Sequence, residues 1–225
     1  MISSLDRNGF CLVKNFFDAH LVRRLLDAVD ELSYDNTEYG VRSLLQKTPA
    51  LTEFINSPQV RALIEPVLGR TAAPVRSIYF DKNPQANWNV AWHQDTTIAV
   101  KEKFTLPGFG PWSEKSGVVH VEPPVEILQN ILTMRIHLDK TGADNGALRV
   151  LPGSHQHGRI HSREILSLVE NDTVVTCAAE PGDVLLIRPL LLHSSRKSRH
   201  PSHIRIIHIE FSSVTLPSPL QWREV

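Results

Sequence analysis

Two textures divide the chain. In DAHLVRRLLDAVDELS (18–33), Leu21, Leu25, Val29 and Leu32 recur at the helical period and share one face, with Asp18 placed to cap the first turn. A second helix is expected at SPQVRALIEPVLG, where Ser57 caps, Pro58 occupies the first turn, Gly69 stops the helix and Pro66 distorts its last turn. From residue 75 the pattern changes to that of strands. The candidates are VRSIYF, NVAWHQD, GVVHVE, ILTMRIHLD, ALRVLPG, TVVTCAAE, DVLLIRP and IRIIHIEFSS. Turn-rich NPQAN, LPGFGP, TGADNG, EPGD and SRHPS separate them. Strands that follow a helical opening without alternating helices predict an antiparallel barrel or double sheet rather than a doubly wound α/β fold. Eight of them suit a jelly roll. No repeat, low-complexity tract or linker divides the sequence. One domain is expected over 1–225, with a helical flank at about 1–70 and a β core at about 75–212.

The strand ILTMRIHLD alternates cleanly. Leu132, Met134, Ile136 and Leu138 share one side; Thr133, Arg135, His137 and Asp139 share the other. On a solvated sheet the polar side faces water. In a barrel with a polar pocket it faces the pocket. The sequence leaves both open.

Composition narrows the partners. Across 225 residues, 24 Lys+Arg balance 24 Asp+Glu, so the basic excess of a nucleic-acid binder is missing and a small-molecule partner is expected. The two cysteines, Cys11 and Cys177, make no disulfide framework and fit a reducing compartment. The opening MISSLDRNGFCLVKNFF places Asp6 and Arg7 where a signal peptide needs apolar residues. No apolar run approaches the ~20 residues of a membrane span. The expectation is a soluble cytoplasmic protein without nucleic-acid or membrane partners. Its oligomeric state is not legible.

The chemistry is suggested by AWHQDTTIAV (91–100). Residues two apart on a strand point the same way, so His93 and Asp95 can converge on one ion. Two histidines and one carboxylate on one octahedral face form the non-haem Fe(II) arrangement, which leaves positions open for ligands. An H-x-D pair arises readily by chance, so a distal histidine is the discriminating feature. His155, His157 and His161 lie in a loop-like segment, and His200 and His203 in a Ser/Arg/Pro-rich turn. His193 follows a buried apolar strand at the point where polarity switches; a strand-end histidine bonded to backbone is the plain alternative. Twelve residues on, Arg205 opens another strand, one strand over from the metal pair, where a guanidinium could hold a carboxylate or simply form an ion pair at the rim.

WHQD (92–95), HLDKTGADNGALRVLPGSHQHGRI (137–160) and PGDVLLIRPLLLHSSRKSRHPSHIRIIHIEFS (181–212) resemble the phytanoyl-CoA dioxygenase family of Fe(II)/2-oxoglutarate oxygenases. The resemblance runs from about residue 75 to about 212. It implies a mainly β, double-stranded β-helix fold, a cupin-like jelly-roll barrel with flanking N-terminal helices. It implies His93, Asp95 and His193 as iron ligands and Arg205 as the anchor for the distal carboxylate of 2-oxoglutarate. The His193-to-Arg205 interval is about one residue longer than the family pattern, so Arg196 and Arg199 remain alternatives. Gln94, and Trp112 in GFGPWSE, resemble positions bordering the co-substrate pocket. Lys82, Arg42 and Thr133 are further candidates, with a solvated surface the plain alternative for Lys82 and Arg42. The implied reaction uses O2 and hydroxylates a small molecule at an unactivated C–H bond, releasing succinate and CO2. Halogenating relatives lack the carboxylate at the position of Asp95, so its presence here implies oxygenation. Two rivals stand beside this reading: a cupin-like isomerase or hydrolase using Zn(II) or Mn(II), and a non-catalytic β-barrel binding protein. Segment 100–130, around Trp112, is expected to cover the metal. The substrate is not legible.

Overall fold

The computed structural model describes residues 1–32, 40–200 and 202–225. The opening part carries helices α1 (Ile2–Asn8), α2 (Ala19–Asp30), α3 (Leu44–Lys47), α4 (Pro49–Ile55) and α5 (Pro58–Leu68), interleaved with strands β1 (Phe10–Val13) and β2 (Val41–Arg42). Asp18 caps α2 as expected, its Oδ1 accepting from the Leu21 N–H at 2.7 Å. Val22, Leu25 and Val29 are buried on its inner face, with Leu21 and Leu32 partly buried beside them. The last residue of the predicted helix, Ser33, and Pro201 of the predicted SRHPS turn lie outside the described residues. Ser57 caps α5 and Gly69 ends it at φ 84, while Pro66 is accommodated inside the helix.

The remaining strands are β3 (Ala73–Lys82), β4 (Val90–His93), β5 (Ile98–Val100), β6 (Trp112–Lys115), β7 (Val118–Val121), β8 (Ile131–His137), β9 (Leu148–Val150), β10 (Val175–Cys177), β11 (Val184–Ile187), β12 (His193–Ser195) and β13 (Ile204–Ser212). Helices α6 (Val125–Gln129) and α7 (Ser162–Asn171) lie among them. One sheet runs β1-β11-β8-β13-β3-β2 and a second runs β10-β9-β12-β4, with antiparallel pairing throughout. Leu148 and Val150 of the second sheet pack on Leu185 and Ile187 of the first, so the two sheets close on each other. This is the double-stranded β-helix that the sequence implied, with one strand exchanged. The predicted strand GVVHVE is β7, which belongs to a separate sheet β5-β7-β6. The eighth barrel strand is β12, a three-residue His-Ser-Ser segment too short and polar to show an apolar alternation. Segment 100–130, expected to cover the metal, is largely a folded sheet with its own apolar cluster around Val100, Val121 and Leu128.

The faces of the first sheet decide where chemistry can sit. Tyr79, Met134, Ile136, Leu186, Ile207 and Ile209 point outward into one cluster with the buried faces of α2, α4 and α5. The opposite face lines the barrel interior. Among the described residues, no helix is long and apolar enough to cross a membrane.

The turn entering β11 is held by one carboxylate. Asp183, wholly buried, accepts from the Asn15 and Glu180 backbone N–H groups at 2.8 Å each and from Lys14 Nζ at 2.7 Å. Burial works to raise its pKa, but Lys14 and the two N–H groups outweigh it and hold the carboxyl below its ordinary value. The unfolded chain then binds this proton more readily, so the stabilisation is present above about pH 4 and is lost as pH falls through the depressed folded value. Unfolding free energies measured across acid pH should fall more steeply for the wild type than for Asp183→Asn. Equal acid slopes would show that Asp183 does not set this limit.

Candidate metal centre

The strand pair β4–β12 places His93 directly opposite His193. Three consecutive carbonyls before His193 then fix the site. Pro189 O accepts from the Asp95 N–H at 2.9 Å, Leu190 O from the Gln94 amide at 2.6 Å, and Leu191 O from His193 Nδ1 at 2.8 Å. Both halves of the site thus hang on one turn of backbone. Gln94 also donates to Gly158 O and accepts from the Ile160 N–H, each at 2.8 Å.

The ligating atoms of His93, Asp95 and His193 all lie within 4.8 Å of one another. His93 Nε2 is 3.8 Å from Asp95 Oδ1, and His193 Nε2 is 3.7 Å from Asp95 Oδ2. His93 Nδ1 contacts Ala91 O at 2.9 Å. A carbonyl only accepts, so both Nδ1 atoms carry the proton and both Nε2 lone pairs face the carboxylate. A backbone-fixed tautomer of this kind is the usual support of a metal-ligating histidine. The support alone is not diagnostic: His120 on β7 makes the same bond to Val118 O at 2.8 Å, and its Nε2 is buried without a hydrogen-bond partner. Convergence on Asp95 is the distinguishing feature.

Burial pushes the His193 pKa down to about 4 against the pull of Asp95, leaving the ring neutral near pH 7. Burial works to raise Asp95, but His193, Arg76, His93 and His208 outweigh it and hold the carboxyl well below the usual range. Two neutral imidazoles and one carboxylate are the protonation states a divalent cation requires. The donor set fits iron(II) as a facial triad.

These atoms open into a cavity of about 110 Å³. Its apolar wall includes Ile78, Phe80, Trp88 and Ile206, and its polar groups include Arg76, Lys82, Arg135 and His208. Lys82, expected as a candidate, is buried, with Nζ 2.8 Å from Ser195 Oγ and 3.0 Å from Arg196 O. Burial lowers its pKa to about 8.

Arg205 is not in this cavity. On β13 the inward residues are Ile204, Ile206 and His208, so Arg205 projects from the opposite face of the sheet. There Asp139 receives its Nε at 2.9 Å, its Nη2 at 3.0 Å and its backbone N–H at 2.8 Å, and Asp30 of α2 lies 3.4 Å from Nη1. A shift of one residue along a strand exchanges its faces, and Arg205 stands one residue off the inward-facing Ile204 and Ile206. The expected carboxylate anchor is instead a rim ion pair.

The other candidates also fall outside the lining. Gln94 spends its amide on backbone groups. Trp112 packs in the cluster of the third sheet, beneath Lys103. Arg42 lines a separate small cavity with Arg76 and His120. Thr133 is buried on the inner face of β8 opposite Glu210, beyond the lining. Arg199, weighed as a substitute for Arg205, is exposed and paired with Asp144. Arg76, Arg135, His208 and Glu210 were not singled out by sequence. For Arg135, His208 and Glu210 the signal was the alternation of ILTMRIHLD and IRIIHIEF, once the inner face is known; Arg76 lies in VRSIYF, outside both segments.

A family model described as phytanoyl-CoA dioxygenase matches residues 5–206. The uncharacterized protein Mb1539 of Mycobacterium bovis is 26% identical over 167 residues, which cover 72% of this chain and 51% of that protein. The uncharacterized protein Rv1501 of Mycobacterium tuberculosis gives the same figures. The chain thus spans about half the length of the curated relatives it matches. Among solved structures, EctD from S. alaskensis with 2-oxoglutarate and 5-hydroxyectoine superposes with a TM-score of 0.72 at 17% identity, covering 94% of this chain and 74% of that one. HygX from Streptomyces hygroscopicus with nickel and 2-oxoglutarate gives 0.67 at 14%, covering 92% and 83%. SnoK, a non-haem alpha-ketoglutarate-dependent carbocyclase from nogalamycin biosynthesis, gives 0.70 at 16%, covering 99% and 85%. At these identities the structures establish a shared fold. By its sequence match over residues 5–206, the chain belongs to the phytanoyl-CoA dioxygenase family.

Proposed function

We propose that this chain is an Fe(II)- and 2-oxoglutarate-dependent oxygenase that hydroxylates a small molecule, with His93, Asp95 and His193 as the iron ligands. The observation that carries the reading is the convergence of two proton-free Nε2 atoms on the Asp95 carboxylate, inside a cavity with surplus positive charge. Family membership supports it. Iron bound there, with 2-oxoglutarate and O2, supplies the oxidation of an unactivated C–H bond with release of succinate and CO2.

The chain's own residues perform the remaining tasks. His93 and His193 present lone pairs from fixed tautomers, and Asp95 supplies the compensating negative charge. Gln94 keeps the ligand segment fastened to the Leu190 turn. Ile78, Phe80, Trp88 and Ile206 form a wall that excludes water from the reacting centre. The cavity is below the roughly 300–1,000 Å³ of pockets for drug-sized ligands, so it suits a compact dicarboxylate, with the second substrate entering at the mouth.

The test is anaerobic loading with Fe(II), then exposure to O2 and 2-oxoglutarate with candidate metabolites, following succinate. Substrate-dependent succinate, with a product that has gained an oxygen atom, is the expected result. Succinate with a product that has lost a hydrogen pair, or kept its mass, would replace hydroxylation by ring closure or epimerisation. Absence of 2-oxoglutarate binding by the metal-loaded protein would return the cupin-like isomerase or hydrolase to first place. Failure to retain metal would leave a binding protein.

A further inference from the structure

With Arg205 on the outside, another group must hold the far end of an anionic co-substrate. The inner face offers three cations. Arg76 already has a counter-ion, because its guanidinium lies 2.9 Å from Glu210, although its Nε, like that of Arg135, is buried without a partner. Lys82 is engaged by the Ser195 hydroxyl and the Arg196 carbonyl toward the far end of β3. Arg135 is different. It sits on the inner face of β8, level with Leu185 on β11 and His208 on β13, and lines the cavity beside His93, Asp95 and His193. Its Nη1 donates to His208 Nδ1 at 3.1 Å, and its Nε is buried with no partner. Among the described residues, no carboxylate forms an ion pair with it.

A partly buried cation without a counter-ion is costly, and a guanidinium carries more N–H donors than this contact uses. The surroundings hold it in place all the same. Arg135 only donates, so His208 accepts at Nδ1 and turns its Nε2–H toward Glu210 Oε1, 3.3 Å away. Glu210 is fixed in turn by Arg76, and the Phe80 ring lies 5.7 Å from the Arg135 guanidinium carbon. The row Arg76–Glu210–His208–Arg135 thus orients the last guanidinium while leaving its remaining donors free. Burial lowers the Arg135 pKa to about 10, which keeps it charged near pH 7. With Arg76 and Glu210 cancelling, the cavity holds two cations against Asp95, and a bound divalent metal adds further positive charge. A dianion offsets most of that excess.

Resting on the 2-oxoglutarate reading above, we propose that Arg135, on β8 of the first sheet, anchors the distal carboxylate of the co-substrate in place of Arg205. The two carboxyl ends of the ligand then have separate holders, the metal centre and Arg135.

The experiment measures binding to Mn(II)-loaded protein without O2, by calorimetry. The ligands are 2-oxoglutarate and 2-oxopentanoate, which has the same chelating end and chain length but no distal carboxylate. Arg135→Gln should weaken 2-oxoglutarate at least about 30-fold, the loss expected for one side of a desolvated charge pair, and leave 2-oxopentanoate unchanged. Arg205→Gln should bind both ligands as the wild type does. Should Arg135→Gln fail to fold, Arg135→Lys serves: it keeps the charge but loses the fork, and should weaken only the dicarboxylate, by about tenfold. Unaltered 2-oxoglutarate binding in the folded Arg135 variant, equal loss of both ligands, or selective loss in Arg205→Gln overturns the assignment. If the Mn(II)-loaded wild type binds neither 2-oxo acid, it is the oxygenase reading that fails.

Discussion

Asp95→Ala is expected to weaken Mn(II) or Fe(II) binding by more than about 100-fold, beyond the 10–100-fold typical of losing a group that merely supports a ligand. Turnover of 2-oxoglutarate should fall to background. Asp95 is the one anionic member of the proposed triad, and the ring centroids of His93 and His193 are only 4.2 Å apart. Without the carboxylate, a divalent ion meets two neutral imidazoles with Lys82 and Arg135 in the same cavity, and nothing in that group offsets the repulsion. Equilibrium dialysis reads the affinity directly. Thermal unfolding gives an independent measure, since metal at 100 times its Kd stabilises the folded wild type by about 2.7 kcal/mol, and the variant should show almost none of this. A variant that retains stoichiometric metal and full turnover would sink the triad.

The largest stability effect is expected at Gly182, in the turn that enters β11. Its φ is 90, and a Cβ there would collide with the Phe17 carbonyl oxygen. That approach is itself structural: the Phe17 N–H donates to Gly182 O at 3.0 Å, and the Gly182 N–H to His137 O at 2.8 Å. Gly182→Ala must both occupy the left-handed region and push two backbones apart. A loss of about 3–5 kcal/mol is expected, near the upper end for single substitutions. For a chain of this size that lowers Tm by roughly 10 °C. Gly117→Ala provides the comparison, since Gly117 has φ 72 and nothing lies within 4 Å of the place its Cβ would take. It should lose only the left-handed penalty of about 1–2 kcal/mol. Equal losses at the two sites would mean that the contact with Phe17 relaxes without cost.

Some elements were legible because their signals are local. The Asp18 and Ser57 caps, the Gly69 stop and the apolar face of α2 depend on neighbours within a turn or two. Seven of the eight barrel strands were marked by apolar runs between turn residues. The eighth, β12, was not, since His-Ser-Ser becomes a strand only by pairing with β4 and β9. GVVHVE was read correctly as a strand but misplaced. Strand propensity does not say which sheet a segment joins.

By itself the sequence determined the residue types of the proposed centre and the alternation of the strands that bear on it. H-x-D on a strand places two side chains together whatever surrounds them, and ILTMRIHLD separates Arg135 from Met134 in any sheet. What only the tertiary structure decided was which side of each alternation is inside. Covering the face of Met134, Ile136, Ile207 and Ile209 with α2, α4 and α5 turned Arg135 and His208 into the cavity and Arg205 out of it. A strand pattern is unchanged when its two faces are exchanged; the apolar surface of the helices fixes the choice, because that face has somewhere to be buried.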